Sequence, residues 1–273
     1  MSRNRWFLFA FFLCGCDLAE RSVSSDQGGP ELLVFSPEAG AQNVVRNPIL
    51  VADFNQRLHP SSIQSANLRL ISGTRPVPLA LRWDMVESRV IASPESAAGL
   101  KAGVIYRWVL QNLQNLRGEP QSEQFVLQFR TGSEYDEELA ASEPVGFAAV
   151  MPIFEQKCAI KACHDSAERS VLGLDLSSAE GIRTTAIGMP SKQFFRSTAG
   201  LGGSAGARTL SDLAILDVLA AQGRAARSYL MYKVLADPVI LGEPMPPPEL
   251  GLELDREELQ MLQSWITQGA PTE

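Results

Sequence analysis

The sequence predicts a multidomain chain, an all-β sandwich followed by an all-α domain. Three observations predict it. Apolar residues alternate with a period of two from Glu31 to Gly132, the period becomes helical from Phe147 onward, and the stretch between is acidic and has neither period. At 273 residues the chain is long enough for two domains of ordinary size.

The first residues stand apart from both. "MSRNRWFLFAFFLCGCDLAE" carries Arg3 and Arg5, an apolar run from Trp6 to Leu13 too short to span a bilayer, and then a small residue followed by Cys16. This looks like a bacterial lipobox. The resemblance implies a lipoprotein signal peptide over 1–15 and diacylglyceryl attachment to Cys16. Residues 16–30 are polar, small and Gly-rich, and read as a flexible tether. Export would place the chain in the cell envelope, facing the periplasm or the exterior, with the N-terminal lipid as its membrane anchor.

Residues 31–133 read as the sandwich. "VPLALRW" sets Val77, Leu79, Leu81 and Trp83 on one face, "VIYRWVL" does the same with Val104, Tyr106, Trp108 and Leu110, and "FVLQFRTG" with Phe125, Leu127 and Phe129. With "LLVFSP", "PILVADF", "NLRLIS" and "SRVIAS" the reading is seven short strands separated by turn residues. The opening "FSPEAGAQNVVRNPILVADFNQRLHPSSI", the late "AGVIYRWVL" and the closing "FRTG" resemble the bacterial Ig-like domain of S-layer proteins and exported lipoproteins. That resemblance implies a presentation or adhesion module. His59, in "RLHPSS", reads as an exposed turn histidine.

Residues 134–146 form an acidic linker. The helical domain takes 147–273. Val150, Ile153 and Phe154 fall at helical spacing, with Pro152 tolerated in a first turn. Ser177 and Glu180 stand in a capping-box relation, "SYLMYKVLAD" is a third helix, and the last helix is the best specified. There Asp255 and Glu258 form a capping box, Leu254 and Leu259 a hydrophobic staple, Leu259, Leu262, Trp265 and Ile266 an apolar stripe, and Gly269 the stop. The glycines of "STAGLGGSAGARTLSDL" imitate a dinucleotide loop but lack the strand before it, and read as a surface loop.

The chemistry concentrates in "KCAIKACHDS". Apart from Cys14 and Cys16 the chain has only Cys158 and Cys163, separated by four residues, with His164 directly after. In an oxidising compartment such a pair is bridged, bonded to something or protected. A zinc knuckle would need four ligands, and the only other histidine is His59. A Cys158–Cys163 disulfide accounts for both thiols and defines the alternative reading, a structural or adhesion lipoprotein without haem. A c-type haem accounts for the thiols and the imidazole together, because two thioethers on one porphyrin edge bring the following residue under the iron. A second axial ligand would then come from another loop, and "LGEPMPPPELG" offers Met245, with Met189 of "IGMPSKQ" as a rival.

Taken in order, "IFEQKCAIKACH", "GLDLSS", "IGMPSKQ", "SYLMYKVL", "MPPP" and "LQSWITQGAP" resemble planctomycete-type cytochrome c domains. The resemblance implies an all-α cytochrome c-like domain with one covalent haem c. Cys158 and Cys163 would bind it, with His164 as proximal and Met245 as distal iron ligand. The function implied is electron transfer or haem-based sensing with a redox protein partner. With both axial positions filled, no enzyme activity is expected, and two histidines leave little for acid–base catalysis. A net charge of −7 argues against a nucleic-acid partner.

Overall fold

The computed structural model describes residues 28–137, 139, 144–166, 171–191, 213–218, 225–239 and 243–273. The signal peptide, Cys16 and most of the tether lie outside the described residues, as does nearly all of the Gly-rich stretch 197–213. No helix among the described residues is long and apolar enough to cross a membrane.

Strands β1 (Leu32–Ser36), β2 (Leu50–Phe54), β3 (Leu68–Ser72), β4 (Arg75–Val77), β5 (Leu79–Asp84), β6 (Arg89–Pro94), β7 (Ile105–Leu110) and β8 (Phe125–Arg130) build two four-stranded sheets. Their orders are β1-β2-β6-β5 and β4-β3-β7-β8, with every strand pair antiparallel. The alternation explains the register. Leu50, Ala52 and Phe54 of β2, Val90 and Ala92 of β6, and Tyr106, Trp108 and Leu110 of β7 are all buried, while Ile105 and Arg107 between them are exposed. Tyr106 pairs with Phe129 across β7 and β8 and the rings stack at 5.9 Å. Each such large apolar side chain contributes roughly 1.5–3 kcal/mol by leaving water. β4, the short strand Arg75–Val77, shows no alternation of its own and exists by pairing with β3.

The helices are α1 (Phe147–Ile153), α2 (Ala179–Thr185), α3 (Tyr229–Val234) and α4 (Arg256–Thr267), of 7, 7, 6 and 12 residues. The predicted fold class is therefore corrected. Among the described residues there is no all-α cytochrome c-like domain; two small sheets dominate, followed by four short helices joined by tight turns and isolated bridges at Ile187–Leu216 and Pro190–Ala214. The physical reason is that each helical run stops early. Pro152 inside α1 has no N–H for the ladder, and the chain widens at once into a π-helical turn over Phe154–Cys158. Leu172 and Ala236 take left-handed backbone (φ 61° and 49°), which no helix continues through. The cap of α2 is Ser178, whose hydroxyl accepts from Gly181 N–H at 3.0 Å; Ser177 donates instead to Asp175.

α4 has the expected capping box. Asp255 Oδ1 accepts from Glu258 N–H at 2.9 Å and Glu258 Oε2 accepts from Asp255 N–H at 2.8 Å. Its Leu262, Trp265 and Ile266 are buried, and Trp265 meets Phe154 edge-to-face at 5.8 Å.

Strong polar contacts tie the sheets to the helices. The turn after β5 is gripped by α4: Met85 N–H donates to Gln263 Oε1 at 2.6 Å, Gln263 Nε2 donates to Asp84 Oδ1 at 3.0 Å, and Arg256 pairs with Glu87 at 2.7 Å. Arg57, just after β2, forms a buried ion pair with Asp237 at 2.6 Å. His59 is buried rather than exposed. Its Nδ1 accepts from Ser61 N–H and caps the short turn Pro60–Ser62, and burial lowers its pKa.

Candidate functional site: a cavity at the cysteine pair

α1 and its π-helical extension deliver Cys158 to the wall of a cavity of about 950 Å³. The chain then turns back on itself. Ala162 is left-handed at φ 68°, Cys163 N–H donates to Ile160 O at 3.0 Å, and His164 N–H donates to Cys158 O at 3.2 Å. This closed loop puts Cys163 and His164 on the same cavity as Cys158. Both thiols are free, Cys158 buried and Cys163 partly so. Burial pushes the Cys158 thiol up to about 12, against the opposing pull of Lys157.

His164 is fixed from two sides. Its carbonyl accepts from Leu176 N–H at 3.0 Å, and its Nδ1 lies 3.2 Å from Leu174 O. A carbonyl only accepts, so that contact places the proton on Nδ1 and leaves Nε2 with a lone pair. Burial lowers the imidazole pKa, with the Leu174 carbonyl opposing, so the ring is neutral at neutral pH.

Met245 reaches the same cavity from the Pro-rich turn before α4. Its N–H donates to Lys233 O of α3 at 3.1 Å, and Pro246 beside it is buried. Met189 lines the cavity too, and is 42% exposed. Thus the structure brings together Cys158, Cys163, His164 and both candidate methionines, which come from segments up to 87 positions apart (158 to 245). Cys16 lies outside the described residues.

Most of the remaining wall is apolar, with Leu174, Leu176, Ile215, Leu230 and Val234. Two lysines interrupt it. Lys233 is buried, donates to Glu243 O at 2.8 Å and stands 5.7 Å from the Tyr229 ring centre; burial lowers its pKa. Lys157 donates to Glu253 O at 2.8 Å and pairs with Glu258. Neither lysine, nor the Leu174 carbonyl, is singled out by the motif reading. The lysines were legible only as charges interrupting apolar helical runs, and a backbone carbonyl leaves no sequence signal. Among the described residues no group of three or more His, Cys, Asp or Glu side chains is placed to hold a metal ion.

No family profile matches the chain, and no curated protein matches it. Among solved structures, the bacterial S-layer protein SbsC is similar at 10% identity and a TM-score of 0.29, over 38% of this chain and 14% of that one. An L,D-transpeptidase from Mycobacterium smegmatis matches at 15% identity and 0.28, over 38% and 40%. CopC from Methylosinus trichosporium OB3b matches at 14% and 0.29, over 39% and 97%.

Proposed function

We propose that the cavity holds one haem c and that the chain is a lipid-anchored cell-envelope protein of electron transfer. The observation that carries this reading is the convergence of Cys158, Cys163, His164 and Met245 on one large, mostly apolar cavity. The proposal concerns the site and not a family fold.

The residues present suit the group. Cys158 and Cys163 would each add Sγ–H across a vinyl double bond, forming a C–S bond as the thiol proton passes to the neighbouring carbon, with no oxidant consumed. His164, neutral and with Nδ1–H committed to Leu174 O, has Nε2 available as an iron ligand. Met245 offers a thioether from a turn held by its own N–H and three following prolines. The mostly apolar wall suits the porphyrin, and among the described lining residues Lys157 and Lys233 supply the cationic charge. A bound haem c supplies one-electron chemistry whose potential is set by its axial ligands and its burial. With His164 and Met245 both holding the iron, the chain would pass an electron to a redox protein partner without transforming a substrate.

The methionines decide the ligand set. In the pigmented, oxidised protein, Met245→Ala is expected to remove the sulfur-to-iron charge-transfer band and to lower the potential, because a harder ligand replaces one that favours Fe(II). Met189→Ala is expected to leave both unchanged. The reverse pattern would transfer the ligand role to Met189. A colourless chain whose mass corresponds to one disulfide, even when haem-maturation machinery is supplied, would replace the haem reading with the structural one.

The anchor rests on sequence alone. Cys16→Ser is expected to release the protein from the membrane fraction, since a single lipidated residue is its proposed attachment. Retention of the variant after a high-salt wash would refute that attachment.

A further inference from the structure

We propose that Arg57, which belongs to the sheet half of the chain, is a positioning residue for Met245 and acts through Asp237 and the end of α3; this rests on the haem reading above. α3 ends in a Schellman turn. Ala236 is left-handed at φ 49°, its N–H donates to Lys233 O at 3.2 Å, and Asp237 N–H donates to Tyr232 O at 3.0 Å. The Lys233 carbonyl that this turn holds in place is the same one that accepts Met245 N–H at 3.1 Å. What fixes the turn therefore also fixes the backbone of Met245.

Asp237 is what the sheet half grips. Its Oδ2 receives Arg57 Nη1 at 2.6 Å, while its Oδ1 accepts from Val239 N–H at 3.0 Å. The Arg57 and Asp237 side chains are 10% and 4% exposed. Arg57 is itself braced, with Nε donating to Met85 O at 3.2 Å, and Met85 N–H is tied to Gln263 of α4 at 2.6 Å. A buried ion pair is a poor source of net stability, because desolvation offsets most of the attraction, but it strongly specifies where its two partners sit. Here the two partners are the sheet half and the α3 terminus. The route from Arg57 to Met245 thus consists of one ion pair, one helix-ending turn and one shared carbonyl.

Two readouts test the relay, one with haem and one without. In the pigmented ferric protein, added imidazole competes with Met245, and its apparent affinity is read from loss of the charge-transfer band. Arg57→Gln is expected to raise that affinity about tenfold, the effect of loosening roughly one hydrogen bond's worth of restraint. Arg57→Lys, which keeps the charge, is expected to recover most of the difference. In the full chain made without haem, Arg57→Gln is expected to speed amide exchange at Met245 by about tenfold more than it speeds exchange at the amides of β2 and β6, which report the loss of global stability. If Arg57→Gln does not fold, Asp237→Asn retains an acceptor for Val239 and is judged by the same readouts. Exchange at Met245 that speeds no more than at β2 and β6, in a folded variant that lacks the ion pair, overturns the relay. Absence of pigment in the parent and every variant overturns the haem reading alone, and amide exchange then still decides the relay.

Discussion

Replacing Cys158 and Cys163 together by alanine is expected to abolish covalent pigment entirely, giving a chain of unmodified mass with no in-gel peroxidase stain after denaturation. The effect is all-or-none because, among the described residues, these two are the thiols that line the cavity, and the loop that closes between Cys158 O and His164 N–H brings both to it. Each single variant is expected to keep one thioether and so to retain stainable haem. Stability should change little by comparison. Cys158 is buried, yet losing one sulfur costs on the order of 1 kcal/mol, less than the truncation of a large side chain. Stain that persists in the double variant would show that the pigment is held elsewhere.

Trp265→Ala should be the most destabilising single change in the helical half. The indole is fully buried, meets Phe154 edge-to-face at 5.8 Å and Phe147 at 6.2 Å, and donates Nε1–H to Pro271 O at 2.8 Å. Truncation removes that apolar area, leaves a cavity and breaks the hydrogen bond to Pro271 O, an expected loss of about 3–5 kcal/mol. For a chain of this size that corresponds to a fall of roughly 10 °C in Tm, measurable by thermal or denaturant unfolding. Phe154 opens the turn that ends at Cys158, so the same variant is expected to load haem poorly. Trp265→Phe, which preserves most of the packing, should lose much less. Equal stability of the alanine variant and the parent would show that α4 is not part of the core.

How far the sequence reveals this molecule differs from element to element. The sheets were legible because burial on one face imposes strict alternation, as in Tyr106, Trp108 and Leu110. α4 was legible because its cap, stripe and stop all agree. β4 was not, since its strand character comes from pairing with β3 rather than from its own residues. The helical half is less legible. Local runs of helical period were real, but period alone does not say how far a helix continues past Pro152 or before a left-handed Ala236. The cavity's thiols, imidazole and methionines were visible because each is a rare residue in a marked context. The Arg57–Asp237 pair was invisible, as no local pattern joins two charges 180 positions apart.

That pair and the grip of α4 on Asp84 make the two halves mates rather than interchangeable parts. A chimera that joined the helical half to a different sandwich would leave Asp237 buried beside no guanidinium and Gln263 without Met85 and Asp84 to meet it. An uncompensated buried charge of this kind is strongly destabilising. Shuffling by recombination at the acidic stretch between the halves is thus penalised even though the cut falls in loop sequence. A charge-removing substitution at position 57 is therefore compensated at position 237, where the partner charge sits.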